Sequence, residues 1–204
     1  MGKMAETEKT TQVFDSKSND LSIIWKNIRQ GNQTALAALF ELSSDRLYRY
    51  GMKFINNREL VEDSIQELFI RLCQNPNKLP DVYNPIFYLF KSLRNILIDA
   101  IREKDKLTLL SLEELPFNVN ILWNHEPGDD VNETIQKQFD IAISLLSERQ
   151  KEAIYLRFEV GVSYDEIAQL LGINYQSARN LIHRSVNKIR SQMRLKSFLF
   201  LFLS

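Results

Sequence analysis

The chain has 204 residues, with 26 Lys/Arg against 26 Asp/Glu, 44% hydrophobic residues, and only 6 Gly and 5 Pro. That length allows one or two small domains, and the scarcity of Gly and Pro favours helices over sandwiches or collagen-like structure. One cysteine, Cys73, and two histidines leave no internal disulfide and no ligand set for a metal centre. No apolar run approaches the roughly 20 residues that span a bilayer, so membrane insertion is not expected and the chain reads as cytoplasmic. Residues 1–19 are polar and mixed in charge, unlike a secretory signal, and are expected to form a disordered tail.

Asp20 can cap a first helix carrying Leu21, Ile24, Trp25 and Ile28, with Gly31 closing it. Asn32 or Thr34 opens the next, with Leu36, Leu39, Phe40, Leu47 and Tyr50 at helical spacing. A third helix, from about Arg58 to Cys73, turns Val61, Ile65, Leu68, Phe69 and Leu72 inward. Its other face holds Glu59, Glu62, Asp63, Gln66 and Glu67. A loop punctuated by Pro76, Pro80 and Pro85 precedes a fourth helix, about Ile86 to Lys104, which starts with Phe87, Tyr88 and Phe90. Residues 20–106 therefore read as one helical domain.

Residues 107–133 lack sustained periodicity and carry Glu113, Glu114, Glu126, Asp129 and Asp130 with no Lys or Arg. They read as a flexible acidic linker, with a short helical turn expected near Leu109 to Leu115. Residues 134–196 form the second expected domain, and 197–204 an apolar tail. Ser147 with Gln150 makes a capping box that opens a helix burying Ala153, Ile154, Leu156 and Phe158. Ser163 with Glu166 makes a second one. Two short amphipathic helices follow, joined at Gly172, where a left-handed residue is cheap only for glycine. Ile167, Ala168 and Leu171 form the inner face of the first; Ala178, Leu181 and Ile182 that of the second. This is the pattern of a helix-turn-helix.

The neutral total hides a segregation. From Ser147 onward there are nine Lys/Arg against five Asp/Glu, and before it 17 against 21. From Gln176 to Lys196 there is no acidic residue. Tyr175, Gln176, Arg179, Asn180 and His183 lie on or beside the outer stripe of the second helix. Amides and guanidinium groups there can pair with base edges in a major groove, while Arg184 and Lys188 suit phosphates.

Two stretches carry a resemblance to a known family. Val61-Glu-Asp-Ser-Ile-Gln-Glu-Leu-Phe-Ile-Arg-Leu, followed by Tyr88-Leu-Phe-Lys-Ser-Leu-Arg-Asn-Ile-Leu-Ile-Asp-Ala-Ile-Arg, resembles the first domain of sigma-70-type RNA polymerase initiation factors. Leu146-Ser-Glu-Arg-Gln-Lys-Glu-Ala-Ile-Tyr-Leu-Arg-Phe, with Gly161 and the helix-turn-helix, is similar to their second. The closest branch is the short extracytoplasmic-function group, which keeps only these two domains. The resemblance implies an all-α fold of two small helical domains and a set of partners: core RNA polymerase, promoter DNA and an anti-sigma factor. It implies no cofactor, no metal, no small-molecule substrate and no catalysis by the chain itself. It implies docking on the polymerase through Glu62, Asp63, Gln66 and Glu67, with Phe69 as a flanking apolar contact. It places the melted −10 element on Tyr83, Phe87, Tyr88, Lys91, Arg94 and Asn95, and the −35 element on Tyr175, Gln176, Arg179, Asn180, His183, Arg184 and Lys188. Two departures stand out: Tyr88 sits where the family often carries tryptophan, and Glu-Lys-Asp-Lys follows Arg102 where it carries arginines.

Three other classes compete: an enzyme, a free-standing regulator, and a pure protein-interaction domain, whose basic face would have to bind no DNA. An enzyme would need partners for His125, which has Glu126 and Asp129 nearby but no second histidine or nucleophile. A free-standing helix-turn-helix regulator would bind an operator without polymerase, and would leave the acidic and aromatic helices of the first domain without a purpose.

Overall fold

A computed structural model describes residues 21–105, 116–118 and 130–193. All regular structure among the described residues is helical. In chain order it comprises α1 (21–29), α2 (Gln33–Phe54), α3 (Arg58–Gln74), a 3-10 turn (Pro76–Lys78) and α4 (Pro85–Asp105). Then follow α5 (Asp130–Ser144), α6 (Glu148–Ile154), a π-helical turn (Tyr155–Val160), α7 (Tyr164–Leu171) and α8 (Tyr175–Gln192). The chain divides into two compact units, residues 1–52 with 57–106, and 53–56 with 107–204.

In the first unit the helix boundaries follow local chemistry. Gly31 takes φ 83°, and the Asn32 side chain accepts from Ala35 N at 3.0 Å, so one helix stops and the next is capped within two residues. Asn57 caps α3 by accepting from Leu60 N at 3.1 Å. The core takes Trp25 and Ile28 from α1, Leu39, Leu47 and Tyr50 from α2, Val61, Leu68 and Leu72 from α3, and Leu89, Phe90, Leu93 and Leu97 from α4. Phe40 departs from the expected inner face: it is 42% exposed and lies edge-to-face on Phe69 at 5.0 Å. A helical stripe wider than its contact leaves its edge in solvent.

At Gly51, α2 lies close against Val61 of α3. A Cβ there would sit 2.7 Å from Val61 Cγ1. Valine is stiff at χ1 and cannot swing aside. Gly51→Ala is expected to cost about 1–3 kcal/mol in overpacking, against roughly 1 kcal/mol gained in helix propensity. A lowered urea midpoint with an unchanged slope would register it.

In the second unit, both expected capping boxes are present. Ser147 Oγ accepts from Gln150 N and Ser163 Oγ from Glu166 N, each with the reciprocal side-chain bond. α8 packs against α5, α6 and α7. Four expectations need correction. Phe158 is 51% exposed rather than buried, because α6 passes into the π turn; the extra residue per turn rotates it off the face of Ala153 and Ile154. α8 is not short: it runs for 18 residues, since Ser185 and Ile189 extend its buried face. α5 starts at Asp130, inside the expected 107–133 linker. Within that linker Phe117 is 1% exposed; its N donates to Glu148 Oε2 at 2.7 Å and its ring meets Tyr155 edge-to-face at 5.8 Å. An aromatic side chain can anchor a segment that has no periodicity. The expected disordered tail, the turn near Leu109 to Leu115 and the apolar C-terminus lie outside the described residues.

Candidate nucleic-acid interface

In the second unit the site is the outer side of α8. Gly172, at φ 65°, ends α7, and Asn174 caps α8 by accepting from Ser177 N at 2.7 Å. Arg149 donates to the Leu171 carbonyl at 2.7 Å, meeting one of the acceptors that a helix C-terminus leaves open. Arg157 donates to Val162 O at 3.0 Å and stacks 4.8 Å above the Tyr164 ring. These contacts fix the turn before α7 and the end of α7, and hence where α8 starts. Ala178, Ile182, Ser185 and Ile189 are buried, so the opposite stripe is set. Gln176, Arg179, Asn180, His183 and Arg184 are all exposed on it, with Tyr175 at 46% beside them.

The stripe is pre-ordered by its own i,i+4 pairs. Gln176 Nε2 donates to Asn180 Oδ1 at 3.2 Å, and the Asn187 amide lies 3.3 Å from His183 Nδ1. Lys188 is exposed further along α8, and its ammonium donates to the Leu145 carbonyl just beyond α5.

In the first unit, Tyr83 is 89% exposed on the loop before α4, and Asn84 caps α4 by accepting from Phe87 N at 3.2 Å. Lys91 lies 5.9 Å from the centroid of Phe87, and Tyr88 tilts against Trp25 at 5.0 Å. Asn95 is exposed on the same helix. Tyr88 and Asn95 share a cavity of about 180 Å³ with Arg71, Leu72 and Leu79. That is smaller than the roughly 300–1,000 Å³ of drug-sized ligand sites and suits one planar group. Arg94 is corrected: at 4% exposed it lies inside the unit and has its own interactions there, so it is not presented to phosphates. The sequence pattern missed Arg71 and Leu79, since they reach the cavity from α3 and from a loop rather than from α4.

The acidic face of α3 is present but partly self-paired. Glu62 Oε1 accepts from Arg58 Nε at 2.8 Å, and Glu67 pairs with Arg71. The hydrogen bond to Glu62 is the main reason the Arg58 pKa is raised above its ordinary value. Asp63 and Gln66 are exposed. Phe69 is 8% exposed, on the inner face expected from its spacing, so it has little surface left for the flanking docking contact; Phe40 and Ile70, at 42% and 52%, present the apolar surface nearby.

Comparison with known proteins agrees with this layout. Residues 39–107 match the family model for sigma-70 region 2, and residues 136–189 that for sigma-70, region 4. The chain is 25% identical to the ECF RNA polymerase sigma factor SigW of Bacillus subtilis (strain 168), over 83% of this chain and 94% of that one. It is 26% identical to the ECF RNA polymerase sigma factor SigE of Mycolicibacterium smegmatis, over 80% of this chain and 64% of that longer protein. The fold resembles that of the sigma factor RpoE solved with the anti-sigma factor NepR from Bartonella quintana, with a TM-score of 0.53 and 20% identity over 78% of this chain and 96% of that one. Two region models in family order, and a relative matched over 94% of its own length, place the chain in the sigma-70 family of RNA polymerase sigma factors, in its extracytoplasmic-function group.

Proposed function

We propose that this initiation factor acts as a dissociable subunit: it binds core RNA polymerase, reads the −35 and −10 promoter elements and helps to melt the second. The observation that carries this reading is the occurrence in one chain, in order, of the region 2 and region 4 matches. In the second unit, the amide and guanidinium stripe from Gln176 to Arg184 suits base edges in the −35 major groove, with Arg184 toward phosphate. In the first, Tyr83, Phe87 and Tyr88 offer stacking surfaces and Asn95 an edge reader for unstacked bases of the −10 element, with Lys91 toward phosphate. Glu62, Asp63, Gln66 and Glu67 supply an acidic face for a basic surface of the polymerase, with Phe40 and Ile70 in place of Phe69 as apolar neighbours.

The chain carries out no chemistry of its own in this scheme, because the polymerase makes the RNA. It acts in the cytoplasm, where core polymerase is, and an anti-sigma protein would hold it inactive. No helix among the described residues is long and apolar enough to cross a membrane. A free-standing regulator is the weaker reading, since it leaves the region 2 match without a role.

Reconstitution tests the proposal. Core polymerase plus this chain should start transcripts at a promoter that core alone ignores; failure to associate with core, combined with specific duplex binding by the chain alone, would replace it with the regulator. Arg179→Ala is expected to lower −35 duplex affinity about 5- to 150-fold, the equivalent of losing a bidentate base contact of ~1–3 kcal/mol. Competition at fixed salt with a base-substituted duplex checks that specificity, and not only affinity, falls.

A further inference from the structure

We infer that Trp25 and Arg29 of α1 are positioning residues for promoter melting: from behind, they hold the loop that presents Tyr83 and walls the Tyr88–Asn95 cavity. The inference rests on the melting role proposed above for that surface.

The loop from Asn75 to Asn84 has little to hold itself. Pro76 and Pro80 lack N–H groups, and the backbone bonds that stay inside the loop close the 3-10 turn: Lys78 N to Asn75 O at 3.0 Å and Leu79 N to Pro76 O at 3.2 Å. Beyond that turn, two consecutive carbonyls are met from more than 49 residues earlier in the chain. Arg29 Nε donates to Leu79 O at 3.1 Å, and Trp25 Nε1 donates to Pro80 O at 3.0 Å. Arg29 also reaches Asp81, Nη1 to Oδ1 at 3.2 Å. Trp25 and Arg29 are four residues apart and so lie on one face of α1.

The far end of the loop is pinned separately, by the Asn84 cap on α4. The stretch between the two anchors carries Tyr83 outward at 89% exposure. Leu79, whose carbonyl Arg29 holds, is itself a wall of the cavity that Tyr88 and Asn95 share. Trp25 supports the opposite side too, since its ring tilts on Tyr88 at 5.0 Å and 58°. One short helix thus sets the spacing between a loop and a helix that would hold unstacked bases.

The parts differ in weight. The Asp81 carboxylate is 87% exposed, so that ion pair is screened and contributes little. The indole N–H belongs to a side chain only 1% exposed, and leaving it or its acceptor unmatched carries the full desolvation cost. Arg29 binds the carbonyl and Asp81 through different nitrogens of one planar group, which a lysine ammonium cannot reproduce.

The test uses holoenzyme assembled from full-length chain and core polymerase. Arg29→Gln removes the charged fork, and Trp25→Phe removes the N–H while keeping a ring against Tyr88. The readout is binding of a single-stranded oligonucleotide with the −10 non-template sequence, relative to a scrambled one. Both variants are expected to keep core binding and −35 duplex binding within about twofold, while the preference for the cognate strand falls on the order of tenfold. Arg29→Lys should recover only part of it. An unchanged preference in both variants overturns the inference, as does a parallel loss of core binding, which would make the role structural. A wild-type holoenzyme with no preference at all would overturn the melting role itself and this inference with it.

Discussion

Alanine at Glu62, Asp63, Gln66 and Glu67 together is expected to weaken core polymerase binding by about 10- to 100-fold while leaving the chain folded. Each lost rim charge is worth roughly 0.2–1 kcal/mol, and three are removed. The self-pairing of α3 increases the effect. Arg58 and Arg71 now neutralise Glu62 and Glu67; once those partners are gone, both guanidinium groups face a basic surface and repel it. Folding should survive, because Glu62 and Glu67 are about half exposed in these pairs and alanine favours the helix. Pull-down with core at two salt concentrations checks the result. Retained binding at both would move the docking surface away from α3, and the double variant Arg58→Ala/Arg71→Ala should show the opposite sign.

Phe90→Ala is expected to destabilise the first unit by about 3–5 kcal/mol, a large share of the ~5–15 kcal/mol available to a domain. Phe90 is fully buried, its ring tilts on Tyr50 at 5.0 Å, and the Arg46 guanidinium lies 6.0 Å from its centroid. Collapse around the gap is limited, because Leu89, Leu93 and Leu97 on the same helix are themselves fully buried. Urea unfolding followed by Trp25 fluorescence, in a Trp123→Phe background, reads this unit. Phe158→Ala provides the contrast: at 51% exposed, it should shift stability by less than about 1 kcal/mol. Equal effects from the two would overturn the burial argument.

Much of the fold was legible because its signals are local. The capping boxes at Ser147 and Ser163 and the left-handed glycines at 31 and 172 each depend on residues within one turn. The outer stripe of α8 was legible for the same reason: a period of 3.6 that puts Ala178, Ile182 and Ile189 inside must put Gln176, Arg179 and Asn180 outside. Burial is where sequence reasoning went astray. Arg94 sits at a helical position that pattern alone leaves ambiguous, and at 4% exposed it is enclosed by its neighbours. Phe158 was misplaced because a π turn changes the period without a strong sequence mark.

The sequence by itself determined where the helices opened by capping boxes start, where Gly31 and Gly172 end theirs, and which stretch of α8 is free of acidic side chains. Those properties arise from backbone capping and from the spacing of neighbours. Only the tertiary structure decided which polar groups meet across the chain. Lys188 reaches Leu145, Arg149 reaches Leu171, and Trp25 and Arg29 reach Pro80 and Leu79. A backbone carbonyl accepts a bond whatever its side chain, so no residue pattern announces such a partner; packing alone brings donor and acceptor within 3 Å or so.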